Sequence, residues 1–149
     1  MSVEEHKAIV RRLTEMSGED PAADEVDEVM DELMAEDFVN HTPQLGVTPD
    51  RDGFKQYWKK LAKAFPDLTF DIHDLIAEGD RVVCRCTVRG THAGPLPGPI
   101  TFQPTGKKFE VSAIFIMRMR NGKIVERWAA PDTLSQLMQL DLITLKGTA

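Results

Sequence analysis

The sequence predicts an α+β domain with a cone-shaped, curved antiparallel sheet and helices packed on one face. Apolar residues recur at helical spacing through residues 1–65, and from Leu68 onward they alternate at every second position. Helices that precede a run of strands, with a short helix at the end, are typical of this class. A sheet that curls around helices encloses a pocket, so a ligand cavity is expected.

Three helices are predicted before the sheet. Val3 to Ser17 and Asp24 to Ala35 each carry an apolar stripe, and the segment Gly18 to Pro21 separates them. Thr48-Pro49 resembles an N-cap followed by proline at the first helical position, and Pro66 is expected to end this third helix.

Side-chain directions on the third helix follow from its period. Phe54, Trp58 and Leu61 share one face. Tyr57 adjoins Trp58, so it should point about 100° away around the helix. We therefore expect Tyr57 to face solvent.

Four strands are expected next, joined by turns. Phe38 to His41 is too short to decide between a brief strand and a bend. The alternating segments that predict the later strands begin at Leu68, Arg81, Lys107 and Ile124. The proline- and glycine-rich residues 93–106 should form a loop.

The last strand should follow a two-residue hairpin at Asn121-Gly122, because both residues tolerate positive φ. Glu126 and Trp128 fall on one parity of this strand, and Arg127 on the other. Pro131 lacks the N–H that a sheet ladder needs, so it should end the strand. The apolar stripe that follows, which includes Leu137, predicts a closing helix.

Composition excludes several functional classes. Net charge is −6, with 13 acidic and 3 basic residues in positions 1–40, which predicts an acidic solvated face on the first helices. Basic clusters with interleaved aromatics are absent, which argues against nucleic acid, and no apolar run is long enough for a membrane. Cys84 and Cys86 fall on one face of a strand and are expected to be buried free thiols, as suits a cytoplasmic protein. The histidines are scattered, so no metal is expected.

Asp132 has two interpretations. It follows Pro131 where a strand gives way to a helix, so it can act as an N-cap. It can also act as a general acid or base if apolar surroundings raise its pKa. The two roles conflict in part, because a helix N-terminus favours the charged carboxylate.

A series of short motifs then points to a family. His41, Ala64 to Leu68, Ile76 to Asp80, Gly90 to His92, Pro104 to Gly106, Asn121 to Glu126, Trp128 and Asp132 occur in an order that resembles the SnoaL-like polyketide cyclases. These are also called predicted ester cyclases, within the nuclear-transport-factor-2-like, ketosteroid-isomerase-like superfamily. The match predicts one domain over residues 1–149, with a core of about 4–142 and a frayed tail.

The resemblance implies an α+β barrel with an apolar cavity and cofactor-free chemistry. It implies that Asp132 is the acid/base of an aldol ring closure and that His41 and His92 lie near the cavity. From the residues, either histidine could donate to an enolate oxygen or could simply hydrogen-bond to nearby backbone groups. The expected apolar wall comprises Phe38, Trp58, Phe115, Trp128 and Leu137.

The leading hypothesis is a cyclase or isomerase that acts on an apolar, carbonyl-containing small molecule. A hydrolase or dehydratase in the same pocket and a non-catalytic protein that binds an apolar metabolite stay open as alternatives. Apolar residues on both parities of two strands, residues 82–88 and 111–119, also predict a homodimer through the sheet face.

Overall fold

The helices surround one face of a single sheet. The computed structural model describes residues 1–16, 23–96, 98 and 101–147. Within those residues the elements are α1 (Val3–Thr14), α2 (Ala23–Leu33), β1 (Met34–Asn40), α3 (Arg51–Ala64), β2 (Thr69–Glu78), β3 (Arg81–Thr91), β4 (Lys108–Arg120), β5 (Lys123–Pro131) and α4 (Thr133–Gln139). This order confirms the predicted α+β class, while the predicted break at Gly18 to Pro21 lies outside the described residues.

The sheet is mixed, whereas the sequence predicted an antiparallel one. Its order is β1-β5-β4-β3-β2, and β2 to β5 form an antiparallel meander. β1 starts directly after α2 and runs parallel to β5, with Val39 opposite Glu126. Parallel pairing joins segments distant in sequence, so strand alternation alone could not reveal it. The irregularities at Ile72/Asp74 and Arg118/Met119 bend the curved, unclosed sheet.

The strand ends agree with the turn signals. Asn121 and Gly122 have φ of 51° and 76°, as the two-residue hairpin requires. β5 ends at Pro131, as expected.

α3 begins at a different cap from the one predicted. Asp50 caps the helix by accepting a hydrogen bond from the Gly53 N–H at 2.8 Å. Thr48 instead donates its hydroxyl to Asp50 Oδ1 at 2.7 Å. The Thr48-Pro49 prediction was therefore wrong by two residues, because the competing Asp lies immediately downstream and is a stronger cap than Thr.

The acidic α2 helix packs against basic side chains of α3. Asp27 accepts from Lys59 Nζ at 2.8 Å, and Asp31 pairs with Lys55 and with Arg51. The hydrogen bond from Lys55 holds the pKa of Asp31 below its ordinary value. The acidic residues expected to form a solvated face thus partly serve to join two helices.

The core lies between the helices and the inner face of the sheet. β3 and β4 alternate strictly, with Val82, Cys84, Phe115 and Met117 all buried. Cys84 and Cys86 are buried free thiols, as expected. Across the part of the chain that the structure describes, none of the helices combines the length and apolar character needed to cross a membrane.

Candidate functional site

A cavity of about 790 Å³ lies between α3, the inner face of the sheet and α4. This volume suits a small organic ligand. Exposed side chains mark its rim, among them Leu45, which is 77% exposed, Asp52 and Lys60.

α3 supplies one wall through Phe54, Tyr57, Trp58 and Leu61. These positions follow i, i+3, i+4 and i+7, the spacing of a single helical face. Tyr57 therefore lines the cavity, and the expectation that it faces solvent was wrong. The cavity spans a wider arc of the helix than the 100° that separates Tyr57 from Trp58.

The inward parity of the strands forms the opposite wall. It is mostly apolar, with Phe70, Val88, Val111, Ala113, Phe115 and Met117. β5 contributes Arg127, Ala129 and Pro131, which share the parity opposite to Glu126. Arg127 thus places a charged group in an otherwise apolar wall.

The Arg127 side chain has no acidic partner among the described residues. Its Nε is buried without a hydrogen-bond acceptor. The carbon of the guanidinium lies 5.1 Å from the Phe54 ring centre and 4.7 Å from that of Phe115. Such cation–π contacts contribute roughly 0.5–2 kcal/mol each, less than the several kcal/mol that it takes to desolvate a cation. Together the two contacts offset part of the free energy that it takes to remove this half-buried cation from water.

Burial shifts the ionisation of two polar groups that line the cavity, Arg127 and Tyr57. It lowers the pKa of Arg127 to about 10, so the side chain is still a cation at neutral pH. Burial also raises the pKa of Tyr57, against a smaller opposing effect of the Arg127 charge. At neutral pH the cavity thus presents a guanidinium and a neutral hydroxyl, two hydrogen-bond donors.

Three of the predicted wall residues line the cavity: Trp58, Phe115 and Leu137. Phe38 lies one layer behind, where it is buried and packs edge-on against Phe54 with ring centres 5.8 Å apart.

His41 and Trp128 lie on the outer face of the sheet. Their rings stack with centroids 4.6 Å apart, and Arg81 sits over the Trp128 ring. His41 Nε2 is 3.1 Å from Glu126 Oε1. Trp128 has the parity of Glu126, which faces away from the cavity. The prediction that Trp128 forms part of the cavity wall was therefore wrong.

His92 is fully buried at the end of β3, away from the cavity lining. Its Nδ1 is 3.3 Å from both the hydroxyl and the backbone N of Thr105, and its Nε2 is unpartnered. Phe65 packs between it and Phe109, a cavity residue, with ring centroids 5.6 Å and 5.0 Å away. Desolvation lowers the pKa of His92.

Asp132 caps α4 rather than pointing into the cavity. Its Oδ1 accepts from Ser135 N–H at 3.2 Å, and the residue is exposed. Its neighbours Pro131 and Thr133 both line the cavity, which places Asp132 at the cavity edge. The expectation of a sheltered carboxylate was wrong, because the start of the helix draws the side chain to its own N–H groups.

The residues that the sequence analysis missed are Arg127 and Tyr57. Signals for both existed: Arg127 lies opposite in parity to Glu126 and Trp128, and Tyr57 lies three residues after Phe54. Among the described residues, no group of three or more His, Cys, Asp or Glu side chains is placed to hold a metal ion.

Comparison with known proteins decides the family. The family model described as SnoaL-like polyketide cyclase matches residues 8–140. The chain belongs to this family. No curated protein matches it in sequence.

Solved structures of SnoaL-like proteins agree with the fold. IdmH from Streptomyces antibioticus, a candidate polyketide cyclase, is 32% identical, with 91% of this chain and 98% of that chain covered and a TM-score of 0.71. AclR from Streptomyces galilaeus, a candidate hydroxylase, is 27% identical over 96% and 100% of the two chains, with a TM-score of 0.75. TsrD from Streptomyces laurentii shares the fold at 23% identity, with 96% and 99% coverage and a TM-score of 0.78. Membership in the SnoaL-like family supports a cyclase- or isomerase-type role.

Proposed function

We propose that this SnoaL-like protein is a cofactor-free cyclase or isomerase that acts on an apolar, carbonyl-containing small molecule. The observation that carries the proposal is the half-buried Arg127 guanidinium, which lines a mostly apolar cavity and has no acidic partner among the described residues. A donor that is already in place in a water-poor site is what a developing enolate oxygen requires.

The proposed reaction starts with removal of a proton from the carbon next to a carbonyl. The electron pair of that C–H bond forms the enolate, whose oxygen accepts hydrogen bonds from the donors of the cavity. In ring closure, the enolate carbon attacks a second carbonyl of the same molecule, and the resulting alkoxide takes the proton. In isomerisation, the proton returns to a different carbon. Both routes conserve every atom of the substrate, so neither needs a redox partner.

We assign the proton transfer to Asp132. Its neighbours Pro131 and Thr133 line the cavity, so rotation of the side chain away from the cap would bring the carboxylate to the cavity edge. Substrate that fills the cavity would displace water from this edge and make the carboxylate a stronger base. Asp52, at the rim, is the carboxylate that lines the cavity among the described residues, so it is the competing candidate for the base.

Proton exchange tests this assignment without knowledge of the natural substrate. We expect the protein to accelerate deuterium exchange at the α-carbon of 2-tetralone in D₂O, followed by NMR. Asp132→Asn should reduce the acceleration by about 100-fold or more while preserving the fold, since Asn caps helices about as well as Asp.

Two further variants locate the base. Asp141→Asn, at the other end of α4, should exchange like wild type, because Asp141 is exposed and pairs with Lys107. Full exchange activity in Asp132→Asn, or a comparable loss in Asp52→Asn alone, would remove Asp132 from the mechanism.

A non-catalytic binding protein is the second candidate. The engagement of Asp132 as a helix cap favours it, because the carboxylate accepts from the Ser135 N–H and is directed away from the cavity. This candidate predicts that 2-tetralone binds and that its exchange rate equals the uncatalysed rate.

A further inference from the structure

Arg127 gives the cavity a positive charge that a ligand would meet. Asp52 and Lys60, the other described charged residues that line the cavity, are both exposed, whereas Arg127 is half-buried and its Nε is fully buried. The cavity therefore contains a permanent positive charge before any ligand enters. An enolate is negative only for a moment of the reaction, so it would leave this charge uncompensated for most of the catalytic cycle.

The polar groups near Arg127 also lack an anionic acceptor among the described residues. Tyr57, its polar neighbour in the cavity, is held neutral and offers a donor. Within the described residues, no hydrogen bond or ion pair involves either side chain. The walls around them are apolar, with the Phe54 and Phe115 rings against the guanidinium. The guanidinium and the hydroxyl are therefore two donors in a mostly apolar cavity, and the described residues supply no anionic acceptor for them.

We propose that the ligand of this cavity is an apolar molecule that carries a carboxylate, which binds to the Arg127 guanidinium. A guanidinium presents paired N–H groups that match the two oxygens of a carboxylate, and the pairing strengthens in a water-poor site. This proposal rests on the proposed function and refines it: Arg127 anchors the carboxylate, and the Tyr57 hydroxyl takes over from the guanidinium as the donor to the reacting carbonyl. The preferred substrate class is then a keto acid with a large apolar body, and neutral ketones or esters bind less tightly.

A matched pair of unreactive probes tests the proposal. 2-Naphthoate and its methyl ester share an apolar body and differ in charge, and isothermal titration calorimetry measures the affinity of each. We expect wild-type protein to bind the acid about tenfold or more tightly than the ester. Equal affinities, a preference for the ester or absence of binding by the acid would overturn the proposal.

Variants then locate the anion site. Arg127→Met keeps an apolar side chain of similar length and should remove the preference for the acid while changing ester affinity little. Lys60→Met, at the exposed rim, should retain the preference. Loss of the preference in Lys60→Met but not in Arg127→Met would place the carboxylate at the rim and overturn the assignment. Circular dichroism on each variant separates a lost site from a lost fold.

The binding and exchange experiments test the two proposals separately. Selective binding of the acid with no α-proton exchange for any keto compound leaves the carboxylate site intact and removes the enzymatic proposal. Exchange of 2-tetralone combined with equal binding of acid and ester does the reverse.

Discussion

At the residue scale, Arg127 is an unpaired cation whose burial lowers the stability of the folded protein. Its guanidinium is half-buried beside two aromatic rings and has no acidic partner among the described residues. Replacement of an unpaired buried charge by an apolar side chain of similar volume removes the desolvation penalty. The charge is thus better explained by ligand binding than by folding.

We therefore expect Arg127→Met to leave the free energy of unfolding unchanged or to raise it by about 1–2 kcal/mol. Urea denaturation, followed by circular dichroism, measures this change. Arg118→Met is the control, because Arg118 pairs with Glu126 and Asp80 on the same sheet and its loss should not stabilise the protein. Destabilisation of Arg127→Met by more than about 2 kcal/mol would identify Arg127 as a structural residue.

His92 predicts a pH dependence of stability. Desolvation holds its pKa in the folded protein below the ordinary value, which is about 6.5. Between those two values the unfolded chain binds more protons than the folded protein, so stability falls as pH decreases below about 6.5.

His92→Asn should flatten the stability profile between about pH 5 and 7, the range in which an unperturbed His titrates. The Asn oxygen can still accept from the backbone N–H of Thr105, as Nδ1 does. Thermal unfolding at a series of pH values is the measurement. His73→Asn is the control, since His73 is exposed and bonded to Thr87. A slope that persists in His92→Asn would mean that other groups cause it.

At the element scale, α4 depends on its cap. The helix has only seven residues, and Leu140, at its end, is fully buried. A helix this short has little stability of its own, so the bond from Ser135 N–H to Asp132 contributes a large share.

Asp132→Ala should lower the free energy of unfolding by about 1 kcal/mol, whereas Asp132→Asn should lower it far less. Chemical denaturation of the two variants gives the difference. Equal stability of both variants and wild type would show that the cap is dispensable, and the carboxylate would then be free to turn toward the cavity.

At the scale of the whole molecule, the outer face of the sheet carries an apolar patch. Val83, Ile116 and Trp128 are direct neighbours across β3, β4 and β5, and Ile114 beside them is 43% exposed. Val83, Ile116 and Trp128 are half-buried, and such a row of partly exposed apolar side chains on a sheet face suits a protein–protein interface. We propose that two copies of the chain pair through it.

Ile114→Arg should convert the dimer to a monomer, because it places a charge at the most exposed residue of the patch. Light scattering coupled to size-exclusion chromatography gives the mass. Leu134→Arg on α4 is the control, since Leu134 is 52% exposed but lies outside the patch. A wild-type protein that elutes as a monomer, or a dimer that persists in Ile114→Arg, would contradict the sheet interface.

Local patterns were sufficient for most elements. Strict alternation in β3 and β4, the Asn121-Gly122 turn and the stop at Pro131 each act within a few residues, and the structure has all three. The cap of α3 was misplaced because two capping residues, Thr48 and Asp50, stand close together and compete.

The sequence by itself determined the α+β class, the strand periods, the buried thiols and the family, because these depend on local spacing and on motifs in order. Tertiary structure alone decided that β1 runs parallel to β5 and that His41 and Trp128 stack on the outer face. It also decided that Tyr57 and Arg127 meet in one cavity. Burial and proximity arise only when distant segments pack. They place Arg127 in a mostly apolar cavity and leave Asp132 as an exposed helix cap.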